Sequence, residues 1–347
     1  IGRRHLPCGA SFPNGPIKGK NVFIHIDGII GGEAGIGEGW KMIMGCLFVG
    51  RAVSLPSMST AAIKTMLRYS SAYARVRRQF GRPIGTFEGV EEPLVRLTEA
   101  AYLAEAARAT TAAMIGDGKR PIAIASLMKY KTTEYARRAI EDPMDIHGGR
   151  AICDGPSNYL LSAYQMAPIA ITVEGANIVT RSLITFAQGI LSAHPYLYTE
   201  MESCADPDVK RGLAMFENAF LGHVSFLVSN MCRALFHNTT GGIFGLAPKE
   251  VPNGIKKWYR QLWRESCNFA CVADITTLTL GRNLKKKQKL GGRLADALSE
   301  LYLLSCVLKR FEDDGFQESD VPIVNLCMRN GLYRFQDTGM MPASAPR

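Results

Sequence analysis

The feature that most constrains the fold of this 347-residue chain is a succession of long segments with helical apolar periodicity. From Trp40 onward, apolar residues recur at three- and four-residue spacing, which indicates helices with one buried face. In the first half of the chain, the predicted helices are 57–80, 88–115, 122–146 and 172–191. Four long amphipathic helices with short connections are typical of a helical bundle.

A second group of helical segments follows, predicted at 206–236, 255–280 and 294–310, with turns after Gly315. Residues 1 to 38 are rich in Gly and Pro and contain one β-type run, 21–26. We therefore predict a mainly α protein in three parts: residues 1–38 as the end of a β domain, 39–195 as a four-helix bundle and 196–347 as an additional helical domain. Because the chain begins at Ile1 within a strand-and-turn region, we expect it to be a fragment.

The net charge and the cysteines indicate which kinds of partner, compartment and metal site to expect. The net charge of +10 favours an anionic partner, whether a nucleotide cofactor, a phospholipid surface or a nucleic acid, but no nucleic-acid-binding module is recognisable. The nine cysteines are scattered through apolar runs, as in a reducing compartment. Cys267 and Cys271 have no further His or Cys nearby to complete a zinc set, so no metal is predicted. No run of 18 consecutive apolar residues predicts a membrane span.

A basic stretch at 256–293 has Trp258, Tyr259 and Trp263 interleaved with its first cations. One interpretation is a helix lying on an anionic membrane, with aromatic anchors. The other, which is the more common origin of such a pattern, is a solvated helix face followed by a basic loop.

Glu174 is the only acidic residue between Asp154 and Glu200, in the apolar segment ITVEGANIVTR. A buried carboxylate is costly unless it is paired or retained for its chemistry. Three roles are open on the residues alone: a catalytic base, an acid stabilised by the dipole of a helix N-terminus, or half of a buried ion pair with Arg181.

Two other segments have features of ligand contacts. The run YARVRRQFGRPI, 73–84, places arginines at a helix end, where they suit either a diphosphate or the helix dipole. The run DPMDIHGG, 142–149, ends in a glycine pair that permits close approach of a ligand or serves as a helix cap. His147 in this run is interpreted as a packed or hydrogen-bonded turn residue.

Taken in order, RRQFG, DIHGG and VEG resemble the C-terminal half of acyl-CoA dehydrogenases, together with the run 21–26 and the helix start at Trp40. The nearest resemblance is to bacterial fatty acyl-CoA dehydrogenases of β-oxidation that carry a helical C-terminal extension. Residues 1 to about 200 resemble the β-domain end and the bundle, and the remainder resembles the extension.

The resemblance implies that Glu174, followed by Gly175, removes the α-proton of a fatty acyl-CoA while the β-hydrogen leaves as hydride to FAD. Apolar surroundings would make the carboxylate a stronger base. Arg51 matches an arginine near the acyl-CoA end of the pocket, and Val173 replaces a frequent aromatic residue before the base. Ala176 replaces a hydroxyl residue that often touches the flavin.

The resemblance also assigns Arg77, Gln79 and Phe80 to the FAD of a neighbouring subunit, which implies a homo-oligomer. Gly148 and Gly149 match a glycine pair beside the pyrophosphate of the same cofactor, and Asp145 stands where many members carry Gln. In the family, the part that holds the flavin ring should precede Ile1, so we expect the complete protein to be the active enzyme.

The expected reaction is therefore FAD-dependent oxidation of fatty acyl-CoA to trans-2-enoyl-CoA, with an electron-transfer flavoprotein as acceptor. An acyl-CoA oxidase, which uses oxygen, is an alternative with the same base and fold. A non-catalytic membrane-associated helical protein is an alternative from another class. The expected location is the cytoplasm. The basic stretch would also support peripheral contact with the inner membrane.

Overall fold

The computed structural model describes residues 15–339, which are helical almost throughout. This confirms the predicted mainly α fold class. The α-helices of this described part are α1 (Gly39–Val49), α2 (Leu55–Val76), α3 (Glu88–Gly116), α4 (Ile122–His147), α5 (Gly149–Ile152), α6 (Leu161–Thr172), α7 (Asn177–Val179), α8 (Gly189–Ala193), α9 (Leu197–Ser203), α10 (Val209–Thr239), α11 (Asn253–Leu280), α12 (Gln288–Asp313) and α13 (Val321–Asp337).

Two π-helical segments join neighbouring helices. Gly50–Ser54 connects α1 to α2, and Thr180–Gln188 connects α7 to α8. Both widen the helix by one residue per turn, a feature that apolar periodicity does not reveal and that is frequent at functional sites.

The strands in the described residues form one short hairpin, β1 (Arg78–Gln79) and β2 (Arg82–Pro83), paired antiparallel. The strand expected at 21–26 does not form. Val22 and Ile24 are exposed, and the run ends in a 3₁₀ turn, Ile26–Gly28. An extended segment needs a neighbouring strand to satisfy its backbone groups, and this run pairs with none of the described residues.

Two helices in the first half of the chain have bounds that differ from the predicted ones. The helix predicted at 57–80 ends at Val76, because the chain turns into the hairpin. The helix predicted from residue 172 begins only at Asn177; α6, which was not predicted, ends at Thr172, and residues 173–176 form a turn. The reason is local backbone geometry, since both Glu174 and Gly175 have positive φ and cannot continue a right-handed helix.

In the C-terminal region, α10 and α11 begin and end within three residues of their predicted positions. By contrast, α12 begins at Gln288, six residues before its predicted start, and α13 was predicted as turns. Pro322 occupies the first turn of α13, where proline is tolerated because the N–H that it lacks would have no helical partner.

The described residues form two compact units: 15–101 with 131–176, and 102–130 with 177–339. The domain bounds at 38 and 195 stay a prediction. In the first unit, Ile63 and Leu97 are fully buried, and Arg96 of α3 forms an ion pair with Asp142 of α4 at 2.6 Å.

In the second unit, α12 is the central helix and packs against the segment Thr180–Gln188, α11 and α13. Leu294 and Phe311 are fully buried. Asp296 on α12 accepts hydrogen bonds from Tyr130 and from Arg181, whose Nη2 lies 2.5 Å from Asp296 Oδ2. These contacts tie α4, the π-helical segment and α12 together.

Two helical stretches in the described part are long and apolar enough to cross a bilayer by length and composition, Cys46–Val76 and Val209–Thr239; α6 with residues 177–188, bent by 45°, would be a third. The criterion of an uninterrupted apolar run missed them, because polar and charged residues, among them Arg51, Lys64 and Glu217, interrupt their apolar residues.

Candidate functional site

Glu174 lies in the turn between α6 and α7, in the first compact unit. Its φ is 54°, followed by 91° at Gly175. A residue with a Cβ in the left-handed region costs of order 1–3 kcal/mol unless its surroundings stabilise it. Such strained positions cluster at active sites, so the backbone alone marks Glu174 as unusual.

Gly50 is the residue against which the Glu174 carboxylate rests. A Cβ added at position 50 would lie 2.6 Å from Oε1 and 2.7 Å from Oε2 of Glu174. Only glycine therefore leaves room for the carboxylate at this point of the π-helical segment. The Oε2 atom is buried and has no hydrogen-bond partner in the described part of the chain.

Arg51 anchors the same turn through the backbone. Its Nε donates to the carbonyl oxygen of Glu174 at 2.9 Å, and the side chain is buried. Burial lowers the pKa of the Arg51 guanidinium, and the negative charge of Glu174 opposes that shift. The expectation of apolar surroundings for Glu174 is thus incomplete, because a buried positive charge lies beside it.

The ion pair between Glu174 and Arg181 is not formed, since Arg181 binds Asp296. The neighbouring residues of the turn are more open: Val173 is 38% exposed, and Gly175 and Ala176 are exposed as well. The turn therefore presents its backbone outward while the Glu174 side chain points toward Gly50.

The hairpin after α2 presents Phe80 at its tip. Phe80 and Gly81 both have positive φ, as the two-residue loop of a tight hairpin requires, and Phe80 is 93% exposed. Arg78 Nη2 donates to the Gly81 carbonyl at 2.8 Å, which holds the tip closed. Arg77 and Gln79 are also exposed. An aromatic side chain fixed outward in this way is suited to contact another molecule.

The glycine pair follows α4. Gly148 has φ 58° and ψ −135°, a conformation open to glycine, and added Cβ atoms at Gly148 and Gly149 would meet nothing within 4 Å. Asp145 is exposed one turn earlier. The pair therefore leaves open space at its backbone where a ligand can approach.

His147 is packed into the protein, as the sequence predicted. Its Nδ1 lies 2.8 Å from the Pro143 carbonyl and its Nε2 lies 2.6 Å from the Tyr159 hydroxyl. The ring stacks on Tyr73 at 4.1 Å, and burial lowers the pKa of the imidazole.

The contact between Tyr73 and His147 brings the ends of α2 and α4 together, so the RRQFG and DIHGG segments begin at neighbouring points. Beside this contact lies a cleft of about 400 Å³, lined by Tyr69, Ala72, Tyr73, Val76, Arg150 and Tyr159. Sequence reasoning missed this cleft; the closely spaced tyrosines of α2 were the available signal.

Glu174 and the hairpin lie at opposite ends of one long helix. Arg51 and Gly50, which contact Glu174, directly precede α2, and the hairpin directly follows it. The 22 residues of α2 span about 33 Å at 1.5 Å per residue. One chain therefore offers two separate groups of candidate residues, a carboxylate site and a cofactor-contact site.

The aromatic residues of the basic stretch are hydrogen-bonded within the protein, although Trp263 is 37% exposed. Trp258 Nε1 donates to Asn325 Oδ1 at 2.7 Å, and the Tyr259 hydroxyl donates to the Leu308 carbonyl at 3.3 Å. Trp263 Nε1 donates to His237 Nε2 at 2.9 Å. These side chains are structural contacts of α11 rather than free membrane anchors, which supports the solvated-face interpretation.

Two family models match consecutive parts of the chain. The C-terminal domain of acyl-CoA dehydrogenases matches residues 37–188, and the bacterial-type C-terminal domain of acyl-CoA dehydrogenases matches residues 191–340. A 65-residue stretch, 19% of the chain, is 52% identical to Protein HemX of Proteus mirabilis and covers 38% of that protein.

A longer alignment relates the chain to the probable acyl-CoA dehydrogenase FadE10 of Mycobacterium tuberculosis, with 26% identity over 313 residues. It covers 86% of this chain and 45% of FadE10. The chain thus spans less than half the length of these curated relatives.

A solved structure, an acyl-CoA dehydrogenase from Bacillus anthracis complexed with FAD, has the same fold, with a TM-score of 0.64 at 17% identity. The similarity covers 87% of this chain and 49% of that protein. The ordered motifs, the helical fold and both family models agree, and the chain belongs to the acyl-CoA dehydrogenase family, of which it spans the C-terminal portion.

Proposed function

We propose that the complete protein containing this chain oxidises fatty acyl-CoA to trans-2-enoyl-CoA with FAD, and that Glu174 removes the α-proton. The observation that carries the proposal is the Glu174 carboxylate itself. It lies on a strained turn against Gly50, and its buried Oε2 has no hydrogen-bond partner in the described residues. A carboxylate oxygen left unbound at such a site is available to accept a proton.

The residues around Glu174 position it for this step. The bond from Arg51 to the Glu174 carbonyl fixes the turn, and Gly50 lets the carboxylate lie against the helix backbone. The proton would pass from the α-carbon of the thioester to a Glu174 oxygen.

The exposed residues at the other end of α2 fit a bound dinucleotide. Phe80 offers an exposed aromatic face, Arg77 a cation, and the Gly148–Gly149 backbone an open approach. FAD would accept the hydride that leaves the β-carbon of the substrate. Because about 33 Å of helix separates this group from Glu174, we propose that the two groups serve different active sites of a homo-oligomer.

The central experiment is Glu174→Gln in the complete protein. This nearly isosteric change removes the base, and we expect the rate of acyl-CoA oxidation to fall about 10²- to 10⁴-fold with bound flavin retained. Glu91→Gln, at an exposed glutamate of α3, is the matched control. Near-normal turnover by Glu174→Gln would refute the proposal, and so would a purified protein that takes up no FAD.

The electron acceptor distinguishes two versions of the proposal. We favour an electron-transfer flavoprotein, in which case dye reduction without oxygen proceeds and little hydrogen peroxide forms. An acyl-CoA oxidase would instead produce one hydrogen peroxide for each enoyl-CoA. Measuring both products with one long-chain acyl-CoA decides between them.

We also propose cytoplasmic location with peripheral membrane contact through α10 rather than through the basic stretch. The large apolar side chains of α10 that are exposed include Leu213, Phe220, Leu221, Val224, Val228, Met231 and Leu235. An apolar face of this size on a basic protein suits an anionic lipid surface. Sedimentation with phosphatidylglycerol vesicles tests it, with Leu221→Asp expected to weaken binding; equal sedimentation of both proteins would refute it.

A further inference from the structure

The second compact unit contains a buried cluster that the proposed reaction does not use. His194 follows α8, His223 lies on α10 and Asp274 lies on α11, and each side chain is 4% exposed. One ligand atom of each residue, a ring nitrogen or a carboxylate oxygen, lies within 4.8 Å of the ligand atoms of the other two. The Nε2 atoms of both histidines have no hydrogen-bond partner among the described residues. Leaving such a group unsatisfied costs about 1–3 kcal/mol, which points to a ligand.

His223 is oriented as metal-binding histidines are. Its Nδ1 lies 2.8 Å from Oε1 of Glu200, so the ring donates its Nδ1 proton to that carboxylate. The lone pair of Nε2 is then left without a hydrogen-bond donor among the described residues. A carboxylate on the far nitrogen fixes the tautomer of a metal ligand and raises its basicity.

Asp274 is held in a similar way. Its Oδ2 accepts from Asn230 Nδ2 at 2.7 Å, while Oδ1 lies 3.3 Å from His194 Nε2. That separation is long for an N–H···O bond, whose usual length is about 2.9 Å. It is close to the edge of a tetrahedron around a zinc ion, about 3.4 Å for bonds of about 2.0–2.1 Å.

The charges of the cluster favour a cation. Glu200 and Asp274 form their ion pairs, within the part of the chain that the structure describes, with histidines alone. A divalent ion would compensate both, and buried charges are stable only when they are compensated.

We infer that His194, His223 and Asp274 bind one divalent transition-metal ion. Zn²⁺ is the ion that a ligand set of two imidazoles and one carboxylate suits best. Glu200 and Asn230 would be the outer partners. A cavity of about 210 Å³, lined in part by His194 and Asp274, has room for water as the fourth ligand. The site would join the α8–α9 connection to α10 and α11, and it is independent of the proposed dehydrogenation. It also departs from the sequence expectation of no metal.

Binding has a consequence for His194. Its Nδ1 accepts from the backbone N–H groups of Tyr196 and Leu197, each at 3.2 Å, so the metal-free neutral ring carries its proton on Nε2. Coordination through Nε2 moves that proton to Nδ1, which can then no longer accept. Metal binding should therefore release the two amides at the start of α9.

The test uses the complete protein, stripped with a chelator and titrated with Zn²⁺ against a chromophoric competitor, with metal content measured by mass spectrometry. We expect one Zn²⁺ per chain. His223→Gln and Asp274→Asn should each weaken binding more than 10²-fold, and Glu200→Gln, which keeps all three ligands, about 10- to 10²-fold. His237→Gln, at another buried histidine of α10, is the matched control and should bind as the wild type does.

Hydrogen exchange provides a second readout, because Zn²⁺ should speed exchange at the amides of Tyr196 and Leu197. A bridging water would satisfy the same three side chains without a metal. In that case the wild type would retain no more Zn²⁺ than His223→Gln, which would overturn the inference. If a ligand variant fails to fold, the stoichiometry of the wild type and the affinity of Glu200→Gln still decide.

Discussion

Gly50→Ala tests directly whether Glu174 is the base, because it changes the position of the carboxylate without changing its chemistry. The added Cβ would lie 2.6 Å and 2.7 Å from the two carboxylate oxygens, whereas ordinary contact begins at 3.4 Å. The carboxylate must therefore retreat by about 0.7 Å or more. Since a misplacement of about 1 Å can cost 10²-fold in rate, we expect kcat to fall about 10- to 10²-fold, or 1.4–2.7 kcal/mol.

The assay is dye-linked oxidation of a saturating acyl-CoA by the complete protein, with flavin content and thermal stability measured alongside. Alanine is the better helix former by about 1 kcal/mol, so a loss of activity through unfolding is not expected. Gly89→Ala is the control, because Gly89 is also helical and a Cβ there would meet nothing within 4 Å. A kcat for Gly50→Ala within twofold of the wild type would refute the argument.

Two further predictions concern the other end of α2. Phe80→Ala should weaken retention of FAD about 2- to 10-fold without changing thermal stability, since the side chain is 93% exposed; Val76→Ala, also exposed, is the control. His147, whose pKa is lowered chiefly by burial, takes up a proton more readily when unfolded. The unfolded state therefore binds more protons just below the ordinary pKa of about 6.5, and the free energy of unfolding should fall as the pH is lowered through that window.

These two predictions are checked separately. Equal FAD retention by Phe80→Ala and the wild type would contradict the assignment of the hairpin to the cofactor. For His147, urea unfolding at pH 7.5 and 5.5 should show a smaller difference in His147→Gln than in the wild type. An equal difference would contradict the role of this imidazole.

Much of the fold follows from apolar periodicity. The helices α3, α4 and α11 begin and end within two residues of their predicted positions, because each has a continuous apolar face and a clear break at both ends. The π-helical segments and α6 were not predicted. Their geometry depends on contacts distant in sequence, such as the bond from Arg51 to Glu174, which spans 123 residues.

The candidate site could be predicted from the sequence in part. Glu174 was noticeable as a lone acid in an apolar segment, and Phe80 as part of an ordered motif. Gly50 was not, because nothing in the sequence says that its missing side chain leaves room for a carboxylate at position 174. The histidine cluster was also missed, since its members are separated by 29 and 51 residues in sequence and meet only through helix packing.

The length of α2 has a consequence for mixtures of variant subunits. In a symmetric pair that exchanges its hairpins, a chain lacking Glu174 and a chain lacking Phe80 would form one site with both residues intact and one site with neither. Two separately defective proteins would then partly restore each other when co-expressed. With the two proposed groups at opposite ends of a single helix, such complementation would be a property of the assembly, and not of either chain.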